Sequence, residues 1–193
     1  ADDDAAFAPA IDLSRVDAFT VLRVPHARDD EERGLDVYGG GNWLGRFVPT
    51  LDGSPGYRLE VDGGETALSV RKPSLKNEVK VERDGGESIG AIVRIGRLHS
   101  RYDVMGDAGK PIATVKLAAG GDDIWDVRAT DDQHIVGTVV RRIGDEGDDP
   151  TRLSGADYQV LLRADADDHV RRLSFAVPVA IDILDTQVAH TAL

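Results

Sequence analysis

His169-Val170-Arg171-Arg172-Leu173-Ser174-Phe175-Ala176-Val177-Pro178-Val179-Ala180-Ile181-Asp182-Ile183-Leu184, running on to His190, is the stretch on which the fold turns. It alone reads as a long helix, expected over about residues 169–188, and from Leu173 to Leu184 its apolar residues take nearly every angular position instead of one stripe. A helix apolar all round has to be surrounded. Its apolar run covers only about 18 Å at ~1.5 Å per residue, short of a ~30 Å bilayer core, and Asp182 interrupts it. Enclosure within the protein is therefore expected rather than a membrane span.

Upstream of the helix an apolar-polar-apolar triplet recurs: Leu35-Asp36-Val37, Leu59-Glu60-Val61, Val79-Lys80-Val81, Tyr102-Asp103-Val104, Trp125-Asp126-Val127 and Tyr158-Gln159-Val160, with starts 24, 20, 23, 23 and 33 residues apart. A period near 22 suits a repeated hairpin, since two strands of about 5–6 residues and two turns come to that length. Tyr102 to Val115 matches Trp125 to Val139 in its apolar positions, and polar turn formers sit at the centre of each. Leu35 to Val48, turning at Gly39-Gly40-Gly41-Asn42, and Val79 to Val93, turning at Asp84-Gly85-Gly86, follow the same plan. Strands are predicted near 19–25, 35–39, 42–49, 57–62, 66–72, 78–83, 88–95, 101–106, 111–118, 123–129, 134–142 and 157–163. Twelve strands in an open sheet leave two edges exposed, whereas closure removes both. A barrel of this size encloses more room than its own inward side chains fill. The fold class is therefore mainly β: a closed twelve-stranded antiparallel β-barrel of hairpin repeats enclosing a C-terminal apolar α-helix.

The 193 residues fit one domain, read as an acidic leader over 1–17 and a single barrel domain over 18–193. There is no cysteine, which excludes disulfides, thiolate metal sites and a Cys nucleophile. The Ala-Asp-Asp-Asp start shows no signal peptide, and the expected location is cytoplasmic, with a peripheral position at a membrane left open. Acidic residues number 35 against 23 basic, for a net charge of −12, and there are only five lysines. This balance resembles that of halophilic proteins, whose carboxylate surface holds water and cations while molar salt screens its self-repulsion over ~3 Å. The alternative is an ordinary acidic protein. Nucleic acid is not expected as a partner at ordinary salt, because that affinity rests on Lys and Arg.

Tyr102-Asp103-Val104 through Gly109-Lys110-Pro111-Ile112, the Trp125-Asp126-Val127 unit, Asp157-Tyr158-Gln159-Val160 and Ala180-Ile181-Asp182-Ile183-Leu184 together resemble the tubby C-terminal-like superfamily, in particular its LURP-one-related and phospholipid scramblase-related branches. The resemblance covers roughly residues 35 to 190. It implies a barrel around a helix, and a choice among phosphoinositide headgroup binding on the outer wall, association with membrane lipids, and no assigned activity. The chain differs from scramblases in having no membrane-spanning tail, no Cys-rich patch and no Pro-rich leading segment.

Chemistry-bearing motifs are sparse. The histidines (His26, His99, His134, His169, His190) lack metal-ligand spacing, and no Gly-x-Ser-x-Gly elbow, P-loop or dinucleotide fingerprint occurs. The acidic run Gly144-Asp145-Glu146-Gly147-Asp148-Asp149-Pro150 reads as a surface loop, with no Glu at the far position a calcium loop needs. No cofactor or metal is called for, and no catalytic residue is assigned. Two groups of cations, Arg71, Lys72, Lys76 and Lys80, then Arg94, Arg97 and Arg101, fall on neighbouring hairpins and form a candidate site for an anion or lipid headgroup; the alternative is that they pair with surrounding Asp and Glu. Arg171 and Arg172 are read as holding the helix at the barrel rim, Pro178 as a kink inside the helix, and Asp182 as a buried carboxylate needing a backbone amide or Arg partner. The expected function is a non-enzymatic binding module for an anionic lipid headgroup or a protein partner on the outer barrel face. A structural or assembly subunit, and an enzyme with its site at the barrel mouth, are the alternatives.

Overall fold

The computed structural model describes residues 12–23, 34–50, 53–73, 76–96, 101–121, 123, 124–130, 134–143 and 156–191. Twelve strands follow one another in order: β1 (Ala18–Arg23), β2 (Leu35–Gly39), β3 (Asn42–Pro49), β4 (Gly56–Val61), β5 (Thr66–Arg71), β6 (Glu78–Glu82), β7 (Ser88–Arg94), β8 (Arg101–Gly106), β9 (Pro111–Leu117), β10 (Ile124–Ala129), β11 (Ile135–Ile143) and β12 (Ala156–Leu162). Each pairs antiparallel with its neighbours in sequence, and β1 pairs with β12, with Phe19 opposite Val160, so the sheet closes on itself. Strand bounds agree with the alternation pattern to within about two residues.

Hairpin repetition shows in the register as well as in the order. The β2–β3, β4–β5, β6–β7, β8–β9 and β10–β11 pairs each carry one bulge, directly after Val37, Leu59, Val81, Val104 and Val127. Those residues lie 22, 22, 23 and 23 positions apart, a steadier period than the triplets suggest. The second triplet accounts for the difference: the equivalent of Tyr102-Asp103-Val104 is Tyr57-Arg58-Leu59, two residues before Leu59-Glu60-Val61. Alternation has a period of two, so a shift of two residues keeps the same face and leaves no trace in an apolar count.

At one end of the barrel, here the turn end, the β2–β3, β4–β5, β6–β7 and β8–β9 hairpins close in tight turns. Gly40 and Gly41 of the β2–β3 turn have φ of +59° and +80°, values that glycine adopts without strain. The opposite, loop end carries the longer connections, including the segments around residues 24–33 and 144–155, outside the described residues. The expected acidic surface loop, Gly144 to Pro150, lies outside the described residues.

Two helices fill the lumen, where one kinked helix was expected: α1 (Asp168–Ser174), capped by Asp167, whose carboxylate accepts from the His169 amide, and α2 (Val177–Thr191). Pro178 is the second residue of α2, not an interior kink. Its ring would strike the carbonyl four residues back, that of Ser174, and α1 ends there. At the start of a helix its missing N–H is one that has no intrahelical partner in any case. Every residue from Leu173 to Ile181 is buried, which bears out the all-round apolar reading. Phe175 stacks on Phe19 at 4.0 Å between ring centroids, joining the break between the helices to the strand that closes the sheet.

Arg171 locks the turn end. It is 5% exposed, and its guanidinium donates to the carbonyls of Ala166 (3.0 Å) and Arg163 (2.6 Å) and to Asp17. One cation thus joins the loop after β12, the helix and the segment before β1. Arg172, expected to share this role, is half-buried and makes no side-chain hydrogen bond among the described residues. Residues 12–17, counted with the leader in the sequence, instead form a 3-10 turn at Leu13–Arg15 that packs on α1 and buries Leu13 and Ser14.

Gly90 on β7 is where α1 comes closest to the wall. A Cβ there would lie 2.3 Å from the Met105 carbonyl and 2.9 Å from Leu173, and φ is +155°. Gly90→Ala is therefore expected to destabilise by about 2–3 kcal/mol through overpacking, and Phe175→Ala by ~3–5 kcal/mol through the cavity it leaves. Urea unfolding of the two variants against the parent chain measures both, and an effect below about 1 kcal/mol in either would contradict the packing described.

Candidate functional site

Alternation along the strands decides which of the candidate cations can act together. On β5, Val70 points inward, so Arg71 faces out and Lys72 faces in; on β7, Ile92 points inward, so Arg94 turns toward the lumen at the loop end. Lys72 is only 3% exposed, and burial, then the Arg94 charge, push its ammonium pKa down. Arg94 donates to the Leu184 carbonyl at 2.7 Å and to Asn77 at 2.9 Å, holding α2 rather than facing solvent. Lys72 and Arg94 therefore do not belong to the outer surface on which the sequence places them. Two-residue alternation flips each to the other face, and a count of cations within a window does not register this. Arg97 lies outside the described residues.

Arg71, Lys80 and Arg101 do face outward, joined by Lys116, and Lys76 is exposed in the β5–β6 connection. Arg71 stands directly opposite Lys80, and Arg101 opposite Lys116. Directly opposed like charges repel. Glu82 relieves the first pair through a 3.0 Å bond to Arg71, and Asp103 the second through a 3.0 Å bond to Arg101. Between them lie Ala91, Val93 and Met105 together with the outward carboxylates Glu78 and Asp103, and strand geometry sets the pairs roughly 16 Å apart. Lys80 and Lys116 have no ion pair among the described residues.

The loop end of the lumen holds a polar cluster of which the sequence reading identified only Asp182. Asp182 and Asp185 lie one turn apart on α2. The Tyr158 hydroxyl donates to Asp182, and the Tyr102 hydroxyl donates to Asp185 at 2.7 Å. Arg141 bonds Asp185 at 3.2 Å and Asp123 at 2.8 Å, and its guanidinium lies 5.2 Å from the Trp125 ring centroid. Asp182 thus has a phenol among its partners, where a backbone amide or Arg was expected. Tyr102 and Trp125 occupy the same position of the repeat, two residues before the bulge, and Tyr158 stands in the matching triplet of β12. Their side chains converge on one side of α2. The signal in the sequence was the aromatic first residue of three triplets in a chain with few aromatics.

Burial, then the adjacent carboxylate, raise the phenols of Tyr158 and Tyr102 well above their ordinary value of 10.0. The folded state retains their protons more tightly than the unfolded chain, so this stabilisation is complete below pH 10 and is lost as pH climbs toward the raised values. In a 295 nm titration the steps due to Tyr102 and Tyr158 are expected only together with unfolding. Tyr102→Phe and Tyr158→Phe should each remove one such delayed step, and a smooth titration of the folded parent chain near pH 10 would contradict the network.

On the rest of the outer wall, from β10 to β3, uncharged rows lie beside charged pairs such as Asp36 with Arg46 and Asp126 with Arg128. Ile124, Val140, Gln159, Thr20, Tyr38 and Trp43 are successive cross-strand neighbours from β10 through β11, β12, β1 and β2 to β3, and none is charged. Thr138, Leu161 and Ala18 form a second uncharged row beside it. Two shallow grooves open on this side: one lined by Ala18, Phe19, Thr20, Tyr38, Gly40, Gly41 and Gln159, the other by Trp43, Arg46, Glu60, Val61, Asp62, Gly63 and Gly64. Of the histidines, His134 is exposed and the His169 ring bonds the Ile89 carbonyl at 2.7 Å. Among the described residues no group of three or more His, Asp or Glu is arranged to hold a metal, and no helix is long and apolar enough to cross a membrane.

These features define a closed twelve-strand antiparallel barrel whose lumen is filled by its own C-terminal helices. No family model and no curated protein matches the chain. Among solved structures it is similar to a protein from Arabidopsis thaliana determined by X-ray crystallography, with a TM-score of 0.52 and 16% identity over 88% of this chain and 91% of that one. At that identity the likeness extends to the fold.

Proposed function

We propose that the chain is a non-enzymatic binding module of the tubby C-terminal-like kind, close to the LURP-one-related branch, and that it receives an anionic lipid headgroup on the outer face of β5–β9. The observation that carries this reading is the pair of cation–cation neighbours, Arg71 with Lys80 and Arg101 with Lys116, on the wall of a chain whose net charge is −12. Glu82 and Asp103 answer the arginine of each pair, and a headgroup phosphate over Lys80 or Lys116 would answer the lysine by charge-assisted hydrogen bonds. The non-enzymatic reading is supported by the saturation of the Asp182–Asp185 cluster, whose protons and charges are already matched within the barrel. A peripheral place at a membrane follows, with about 1 kcal/mol contributed by each cation that reaches an anionic surface.

Flotation with vesicles containing phosphatidylserine or a phosphoinositide, against neutral phosphatidylcholine vesicles, tests it. The parent chain should float with the anionic vesicles at low salt, and Lys80→Glu with Lys116→Glu should abolish this without altering the far-UV circular dichroism. If the parent chain ignores every anionic vesicle, the headgroup reading falls. A protein partner is the second reading, and the uncharged rows across β10 to β3 favour it.

A further inference from the structure

We propose that Asp84 is a site of spontaneous backbone modification, at which its side-chain carboxyl condenses with the main-chain nitrogen of Gly85 to a five-membered imide and reopens to an isoaspartyl link. The reaction is independent of headgroup binding and needs no reagent but water.

Two conditions favour such a closure. The attacking nitrogen should belong to a glycine, since a Cβ beside it crowds the approach. The carboxyl should also lie against that nitrogen, because groups held about 3–3.5 Å apart react far faster than groups that must first meet. Three hairpin turns of this barrel separate the two conditions, with an aspartate three residues after the bulge positions Leu59, Val81 and Val104 in each: Asp62, Asp84 and Asp107. Asp84 meets both, for Gly85 follows it and its Oδ1 accepts from the Gly85 N–H at 3.1 Å. Asp62-Gly63-Gly64-Glu65 repeats Asp84-Gly85-Gly86-Glu87 residue for residue, and Gly63 and Gly85 have nearly the same φ, +89° and +87°. The Asp62 side chain, however, lines the groove shared with Trp43 and Arg46 and makes no bond to the Gly63 nitrogen. Asp107 does accept from the nitrogen after it, at 2.8 Å, but that nitrogen belongs to Ala108. Each of the two comparison turns thus lacks one condition.

Arg83 to Ser88 are exposed, so water reaches both steps. In the first, a C–N bond forms between Asp84 Cγ and the Gly85 nitrogen, and one carboxylate oxygen departs as water, carrying the amide proton and one taken from solvent. The imide is lighter by one water and has one negative charge fewer. Water then adds to it. Opening beside Cγ restores Asp84, whereas opening beside the main-chain carbonyl leaves Gly85 joined through the side chain, with one extra carbon in the main chain. The turn so lengthened is closed by the Gly86 N–H on the Arg83 carbonyl at 3.1 Å and the Arg83 N–H on the Glu87 carbonyl at 2.8 Å. The strand that follows carries Ile89, whose carbonyl holds His169, and Gly90, against which Leu173 packs, so the change bears on the seat of α1.

Ageing the full chain for weeks at neutral pH in heavy-oxygen water tests the proposal, because each cycle of closure and opening places a heavy oxygen on the aspartate concerned. Peptide mass spectrometry then reads every aspartate separately. In the folded chain Asp84 should gain label about threefold faster than Asp62 and about tenfold faster than Asp107, and its β-linked peptide should elute apart from the parent peptide at the same mass. In guanidinium chloride, where only the shared sequence remains, Asp62 and Asp84 should label alike. Asp84→Glu, whose longer side chain would have to close a six-membered ring, should lose the label at that position with unchanged circular dichroism. Labelling of Asp84 no faster than that of Asp62 in the folded chain, an Asp84 excess that persists in guanidinium chloride, or a label that survives Asp84→Glu would each overturn the proposal.

Discussion

Enclosure of apolar helix by the strand wall is the constraint from which the other features follow. Twelve strands close around a space wider than their inward side chains can fill, and an empty lumen of that width would forfeit the dispersion and burial that hold a core together. Helices α1 and α2 supply the missing volume, and every residue from Leu173 to Ile181 is buried. The wall and its filling are therefore not separable units. Phe175 on Phe19, Leu173 against Gly90 and Tyr158 on Asp182 tie three different strands to the helices, two through packing and one through a hydrogen bond.

The two ends of the barrel meet this constraint with different chemistry. At the turn end the closure is compact: one buried guanidinium, that of Arg171, gathers two carbonyls and the Asp17 carboxylate where α1 begins. At the loop end the wall grips α2 through phenols and guanidiniums acting on Asp182, Asp185 and the Leu184 carbonyl. A carboxylate near a barrel mouth is costly only if left unmatched. Tyr102 and Tyr158 match it with a rigid ring that also fills volume, which explains why aromatic residues rather than small ones occupy those repeat positions.

Much of this architecture was legible in the amino-acid order, for identifiable reasons. Period-two alternation and glycine at the turns set the strand bounds, because both depend on residues next to one another in sequence. The all-round apolar stretch indicated burial because no stripe was left to face water. What escaped were relations across the lumen. Arg141 and Asp185 are 44 positions apart, and nothing local to either announces the other. Lys72 and Arg94 were grouped with Arg71 and Arg101 by proximity in sequence, yet the pleat sends neighbours to opposite sides. The uncharged rows from Ile124 to Trp43 run perpendicular to the chain, one residue from each of six strands, and they emerge only once the register is known.

The placement of the seam has a bearing on how the fold is reached. β1 has its final partner on one side in β2, but on the other it waits for β12, and the helices that fill the lumen follow later still. During synthesis the hairpins from β2 onward can form locally, while their curved sheet keeps a bare edge and a greasy concave face until β12 and the helices have been made. Contacts spanning that much sequence make for slow folding. An unpaired edge of this kind is an open invitation to neighbouring nascent chains. Against that hazard stands a net charge of −12, which sets mutual repulsion between half-built barrels as it does between finished ones.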